Sequence, residues 1–329
     1  MDSVTQVALG ASLAAVCVPA EHRRKAVLVG AMLGTLPDLD VFIDYGDAVS
    51  NFTFHRGFSH SLFTLIPFSI GLWAVLKRFW QPVMDAPKGW FWAIVLALVT
   101  HPLLDAHTAY GTQLFWPVDS PPVMWSTLFI IDPLYTLPLL IGMLVILISP
   151  SKTWAKKTLS VGIVLSTLYL GWSWVGKTLT HQAVAERFPE AISEGRVFST
   201  PTPFNSILWR VVVLDDENYY EGFYSVLKPE EGVAYTQHAK NLRLFEVGRE
   251  LWSVKQLEWF ASGFNKAEVM DDQLVVTDLR MGFEGNYVFR HVVANIGNPH
   301  PVAIESTRLE REFDGDDLDE FWVMLKAAF

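Results

Sequence analysis

The chain has 329 residues, 51% of them hydrophobic, with a mean hydropathy of +0.26 and a formal net charge of −10. Its single cysteine, Cys17, excludes an intrachain disulfide and a four-cysteine zinc site, so any metal must be held by histidines and carboxylates. No basic face stands out, which argues against a nucleic-acid partner.

These averages conceal two unlike halves. Residues 1–180 carry 11 Lys and Arg against 10 Asp and Glu, spread thinly between long apolar runs. Residues 181–329 carry 14 against 25 and hold no apolar run long enough to span a bilayer. The shift predicts a transmembrane helical domain over 1–180, the half that also holds the candidate metal ligands named below, and a soluble α+β domain over 181–329.

A spanning helix needs about 20 mostly apolar residues. Stretches near 4–20, 26–45, 59–76, 90–109, 129–149 and 158–176 qualify. They predict an all-α polytopic membrane bundle of about six transmembrane helices, followed by the small α+β domain. The first stretch lacks a basic n-region, since Asp2 is the only charge before Glu21, and so reads as a retained helix rather than a cleaved signal. Gly30 and Gly34 form a GxxxG pattern, and Ala8, Gly10, Ala11 and Ala14 add small residues to the first helix. Both sets suit close helix packing.

Loops rich in Lys and Arg at 21–25, 77–89 and 150–157 alternate with loops at 46–58 and 110–128 that offer only Arg56. By the positive-inside rule the three basic loops are cytoplasmic. A multi-pass protein of a bacterial cytoplasmic (inner) membrane is expected, with both termini and the soluble half extracytoplasmic. After Lys177, segments 207–214, 219–227 and 287–296 read as strands, and 238–261 and 316–328 as helices. The Pro201-Thr202-Pro203 run suggests a rigid extended start.

Ionisable groups at the centre of a spanning segment cost roughly 2.5–3.5 kcal/mol on insertion scales, so their placement is informative. Asp38, Asp40 and Asp44 fall near the outer end of the second stretch, and His55 and His60 flank Arg56 at the start of the third. His101, Asp105 and His107 lie toward the outer end of the fourth, and Asp132 opens the fifth. Four segments thus bring imidazoles and carboxylates to one depth. His101 and Asp105, four apart, share a helix face. The candidate metal ligands are Asp38, Asp40, His55, His60, His101, Asp105 and Asp132, a donor set suited to Zn²⁺ or, alternatively, Mn²⁺. That many ligands exceed one tetrahedral ion, so two or three ions are expected. A proton or ion pathway in a non-catalytic transporter is the other reading of such residues. The aromatic residues around 110–129 suit an interfacial belt.

The motifs Leu36-Pro37-Asp38-Leu39-Asp40, His55-Arg56-Gly57-Phe58-Ser59-His60-Ser61 and His101-Pro102-Leu103-Leu104-Asp105 resemble those of the YdjM-type bacterial membrane-bound metal-dependent hydrolases. Tyr110-Gly111-Thr112-Gln113 and Ile131-Asp132-Pro133-Leu134-Tyr135 resemble later blocks of that family. In type the motifs are similar to those of zinc-dependent phospholipase C and the S1/P1 nucleases. That resemblance implies His101 and Asp105 as a helix pair of zinc ligands, Asp38 or Asp40 as a bridging carboxylate, and His55 and His60 as further ligands. Gln6 stands where many relatives have His.

The implied activity is metal-dependent hydrolysis of a phosphate ester or phosphodiester in a membrane lipid or lipid-linked substrate. Asp40 and Arg56 are the candidate catalytic residues; Arg56 either clamps a phosphoryl oxygen or neutralises the local carboxylates. Hydrolysis of an ester or amide by the same residues is the alternative chemistry.

Overall fold

The computed structural model describes residues 1–297 and 300–310; the helix predicted over 316–328 lies outside them. Eleven α-helices are described. The first eight are α1 (Ser3–Cys17), α2 (Arg23–Thr35), α3 (Ala48–Phe54), α4 (Leu62–Phe79), α5 (Gln81–Asp85), α6 (Pro87–Asp105), α7 (Pro133–Ile148) and α8 (Thr153–Ala185). The last three are α9 (Pro189–Ser193), α10 (Leu242–Gly248) and α11 (Trp252–Phe260). Two compact units result. One comprises Met1–Ile43, Arg56–Trp174 and Pro203–Asn205; the other comprises Asp44–His55, Val175–Thr202 and the chain from Ser206 onward.

The first unit is helical, with α1 at its centre against α2, α6 and α7. The small residues make that packing possible. A Cβ on Gly34 would sit 2.6 Å from the Gln6 carbonyl oxygen, and one on Gly30 would sit 2.6 Å from the Ala14 Cβ and run into the Gly10 carbonyl. The backbones of α1 and α2 therefore touch, as the GxxxG spacing suggests. Pro37 follows directly, and the chain turns from helix into a 3-10 turn over Pro37–Phe42 that carries Asp38 and Asp40.

The expectation of about six transmembrane helices is corrected here. Among the described residues two helices, α4 and α8, are long and apolar enough to cross a membrane. The reason is geometric. At 1.5 Å per residue, α1, α2 and α7 extend only about 20–24 Å, short of a ~30 Å hydrocarbon core. The second stretch loses its far half to the turn at Pro37, and α6 carries Lys88, His101 and Asp105 within its length. Much of the apolar character of α1 goes to packing, for Ala8, Leu9, Ala11, Ala14 and Ala15 are all buried. By contrast α4 presents Phe63, Ile66, Phe68, Ile70 and Val75 outward. The alternation of basic loops that set the sidedness assumed six crossings and loses that premise.

The second unit holds two four-stranded antiparallel sheets. Strands β1 (Val197–Pro201), β2 (Leu208–Leu214), β3 (Asn218–Ser225) and β4 (Ala234–Ala239) pair in sequence order. So do β5 (Asn265–Met270), β6 (Gln273–Asp278), β7 (Arg290–Asn295) and β8 (Val302–Arg308). The segments expected as strands are β2, β3 and β7. The single helix expected over 238–261 is divided between the end of β4, α10 and α11. Helix α3, which the sequence placed in a loop of the membrane half, packs against α11 and β8. Its Phe52 ring meets Phe260, Phe289 and His291 at 4.4–5.0 Å.

Candidate metal centre

Three stretches of the first unit bring four ligand atoms together: Asp38 from the turn after α2, His60 from a 3-10 turn over Phe58–His60, and His101 and Asp105 from α6. His60 Nε2 lies 3.1 Å from His101 Nε2, 3.2 Å from Asp105 Oδ2 and 3.3 Å from Asp38 Oδ1. His101 Nε2 lies 3.4 Å from Asp38 Oδ1 and 3.5 Å from Asp105 Oδ2. A tetrahedron with metal–ligand bonds of ~2.0–2.1 Å has edges of ~3.3–3.4 Å. Five of the six edges here are near that length, and the ligand atoms of the whole group lie within 4.8 Å of one another.

The outer partners of both imidazoles fix which nitrogen faces the centre. His101 Nδ1 lies 2.6 Å from the Gly34 carbonyl, which can only accept, so Nδ1 keeps its proton and Nε2 is the nitrogen that offers a lone pair once the imidazole is neutral. Ser59 Oγ donates its one proton to Asp40 Oδ2 at 2.7 Å, so it must accept from His60 Nδ1 at 2.9 Å. His60 Nε2 then also offers a lone pair. Such orienting partners are common around metal-bound histidines.

Asp105 is fully buried. Its Oδ1 accepts from Gln6 Nε2 at 2.9 Å and from the Met1 amino group. Its Oδ2 accepts no hydrogen bond among the described residues, although Arg56 Nε lies 3.3 Å away. The Arg56 charge offsets the burial of that oxygen without hydrogen-bonding it, which leaves its lone pairs available to an ion.

The electrostatics agree. Burial opposes ionisation of Asp105, but Arg56, the amino terminus and His101 outweigh it and hold the carboxyl well below the usual range. Burial likewise disfavours the charged form of His101, yet Asp105 and Asp38 overcome it and push the imidazole up to about 9. The centre is a place that attracts positive charge. The side chains of His60, His101 and Asp105 are inaccessible, whereas that of Asp38 is 25% exposed, so the open side of the cluster is at Asp38.

The other candidates sit elsewhere. Asp40 is buried beside the centre, accepting the Arg56 N–H at 2.9 Å as well as the Ser59 hydroxyl, and faces the outer nitrogen of His60. Arg56 is buried, with φ +61° in the left-handed region, and stacks over Tyr110 at 5.0 Å. Its guanidinium is turned to Asp105 and Thr108. His55 ends α3 in the second unit and is not among the four converging residues. Asp132 caps α7, accepting the Leu134 and Tyr135 N–H groups and the Tyr169 hydroxyl. Asp44 accepts from Gly46 N and Asn51 Nδ2, and His107 bonds Leu103 O and Trp174 Nε1.

Sequence reasoning did not give roles to Gln6, Ser59 or the Gly34 carbonyl. Gln6 was visible only as a departure from the resembled family, and Ser59 only as a neighbour of His60. The Gly34 carbonyl, being backbone, left no signal.

A family model described as YdjM inner membrane protein matches residues 1–180, more than half of the chain and all four converging residues. A curated protein of Bacillus subtilis (strain 168), described as "Uncharacterized protein YfhP", is 30% identical over 140 residues. The match covers 40% of this chain and 42% of that protein, so the chain spans less than half the length of the relative it matches. No solved structure matches the chain.

Proposed function

The chain belongs to the YdjM inner membrane protein family, and from that membership and its cluster of ligands we propose a membrane-bound, metal-dependent hydrolase. The observation that carries the reading is the set of five ligand–ligand distances between 3.1 and 3.5 Å, made by two imidazole nitrogens and two carboxylate oxygens. An N₂O₂ set with tetrahedral edges suits Zn²⁺, with Mn²⁺ as the alternative. Two carboxylates and two neutral imidazoles balance one divalent ion, so the proposal is a single ion.

An ion held there by Asp38, His60, His101 and Asp105 would supply Lewis acidity toward the bond to be cleaved. The protein's own groups do the rest. Asp38, at the open side, is where water and substrate reach the cluster. Arg56 keeps Asp105 anionic and is a neutralising partner rather than a phosphate clamp. Asp40 acts through Ser59, holding His60 in the tautomer that faces inward. Membership of a membrane family favours a lipid or lipid-linked phosphate ester as substrate, with a carboxylic ester or amide as the other candidate.

The test uses the full chain purified in detergent. Metal content is measured first, followed by hydrolysis of bis(p-nitrophenyl) phosphate and p-nitrophenyl acetate before and after chelation and re-addition of Zn²⁺. Hydrolysis that chelation abolishes, Zn²⁺ restores and His101→Ala lacks supports the reading. Undiminished hydrolysis after complete metal removal would falsify it. An exchangeable ion with no hydrolysis of either substrate supports an ion carrier instead.

A further inference from the structure

The far ends of α1 and α6 form a second feature that shares no residue with the metal centre. Cys17 and Val18 at the end of α1, with Arg23, Lys88, Gly89 and Lys156, line a cavity of about 490 Å³. Lys88 precedes His101 by thirteen residues on one helix, about 20 Å along its axis. Close packing builds the wall: a Cβ on Gly89 would lie 2.7 Å from the Cys17 carbonyl oxygen, so the start of α6 is pressed against the end of α1.

The lining has three cations and no carboxylate. Asp85, the nearest acidic residue in sequence, is taken up by Gln81 at 2.7 Å and by His22 at 3.7 Å. Helix α6 starts at Pro87 with no side chain capping it, so the N–H groups of Lys88 and Gly89 have no intrahelical acceptor. Arg23 is only 7% exposed. Its Nη1 donates to the Pro150 carbonyl at 2.6 Å, but its Nε has no hydrogen-bond partner among the described residues. Arg23 thus brings a largely buried positive charge to the cavity wall, which an anion in the cavity offsets.

We propose that this cavity binds a phosphate group, held by Arg23, Lys88, Lys156 and the free N–H groups at the start of α6. The headgroup of an anionic phospholipid is the favoured source. Lys156 stands in the first turns of α8, a helix long and apolar enough to cross a membrane, and basic pockets beside such helices suit anionic headgroups. Free phosphate offers the same chemistry. The inference does not depend on the hydrolase reading.

Cys17 is the chain's single cysteine and half-buried in the cavity wall, so its thiol reports occupancy. The full-length protein in dodecyl maltoside is treated with a maleimide alone, with added phosphatidylglycerol, with the same fraction of phosphatidylcholine, and with inorganic phosphate. Phosphatidylglycerol is expected to slow modification several-fold while phosphatidylcholine does not. Protection is expected to vanish in K88A/K156A, two exposed positions whose loss leaves the packing intact; its elution profile and melting temperature serve as the fold control. Protection by phosphatidylglycerol alone identifies a lipid headgroup, and protection by inorganic phosphate as well identifies a phosphate site that accepts either source. Equal protection by phosphatidylcholine, undiminished protection in K88A/K156A, or no protection by either anion overturns the proposal.

Discussion

Ser59 Oγ lies 2.7 Å from Asp40 Oδ2, and through that contact the carboxylate governs an imidazole it never reaches at hydrogen-bond distance. The serine proton goes to Asp40, so its oxygen accepts from His60 Nδ1 and the inward nitrogen stays unprotonated. Replacing Ser59 by Ala removes the relay without touching a ligand. Metal affinity is expected to fall by roughly 10–100-fold, with full occupancy recovered at saturating metal. Competition with a chromophoric chelator measures this; unchanged affinity in both Ser59→Ala and Asp40→Asn counts against the relay.

The ligands themselves behave differently. His60→Ala, His101→Ala and Asp38→Ala each remove one corner of the tetrahedron, and the purified variants are expected to carry little metal by mass spectrometry. Asp105→Ala is expected to be the most damaging to folding as well. It leaves Arg56 buried without its carboxylate and Gln6 Nε2 without its shorter contact.

Metal binding should also release a proton. His101 is raised to about 9 when no ion is present, so at pH 7.5 it is protonated and must lose that proton to become a ligand. Above pH 9 the proton has already left. Calorimetric titration at pH 7.5 in buffers of different ionisation enthalpy is expected to show close to one proton released, declining as pH rises through 9. Heats independent of buffer at pH 7.5 contradict the assignment.

In the second unit the acid sensitivity has another origin. His291 on β7 is buried, both ring nitrogens lack hydrogen bonds among the described residues, and burial pulls it down to about 4. The carboxylates of Asp278 and Asp47 only partly offset this, and Arg308 adds to it. Because the folded value lies below the ordinary ~6.5, the unfolded chain takes up the proton first. Stability is complete above about pH 6.5 and is lost as pH falls toward 4, by about 2 kcal/mol at pH 5. His291→Phe removes the titration and keeps a flat ring beside Phe52. The melting temperature of the full chain is expected to drop less between pH 7 and 5 in the variant than in the parent.

Close backbone contact between α1 and α2 makes a further prediction. A side chain at Gly30 meets Ala14 Cβ at 2.6 Å and the Gly10 carbonyl, neither of which can move independently of its helix. Gly30→Val is expected to cost about 3 kcal/mol or more, read as a lower melting temperature. Gly71 has nothing within 4 Å of its added Cβ, so Gly71→Val on α4 is the matched control. Equal melting temperatures for the two variants would remove the close-packing argument.

The sequence by itself determined which residue types were available and where the main helices lie. Asp38 beside Pro37, and His101 four residues before Asp105, were readable because a proline break and a helical repeat are local rules. It also located β2, β3 and β7 through runs of β-branched and aromatic residues. It could not separate a helix that crosses a bilayer from one whose apolar face is used up against its neighbours, since both are hydrophobic on average. Only the tertiary structure showed α1, α2 and α7 to be too short, and set α6 with its buried His101 and Asp105 apart from α4 and α8. The site divided in the same way. Asp38, Asp40, His55, His60, Asp105 and Asp132 look alike in a linear reading. Which of them turns a lone pair inward depends on partners as distant in sequence as Gly34 from His101 or Gln6 from Asp105, and contacts of that kind leave no periodicity in the chain.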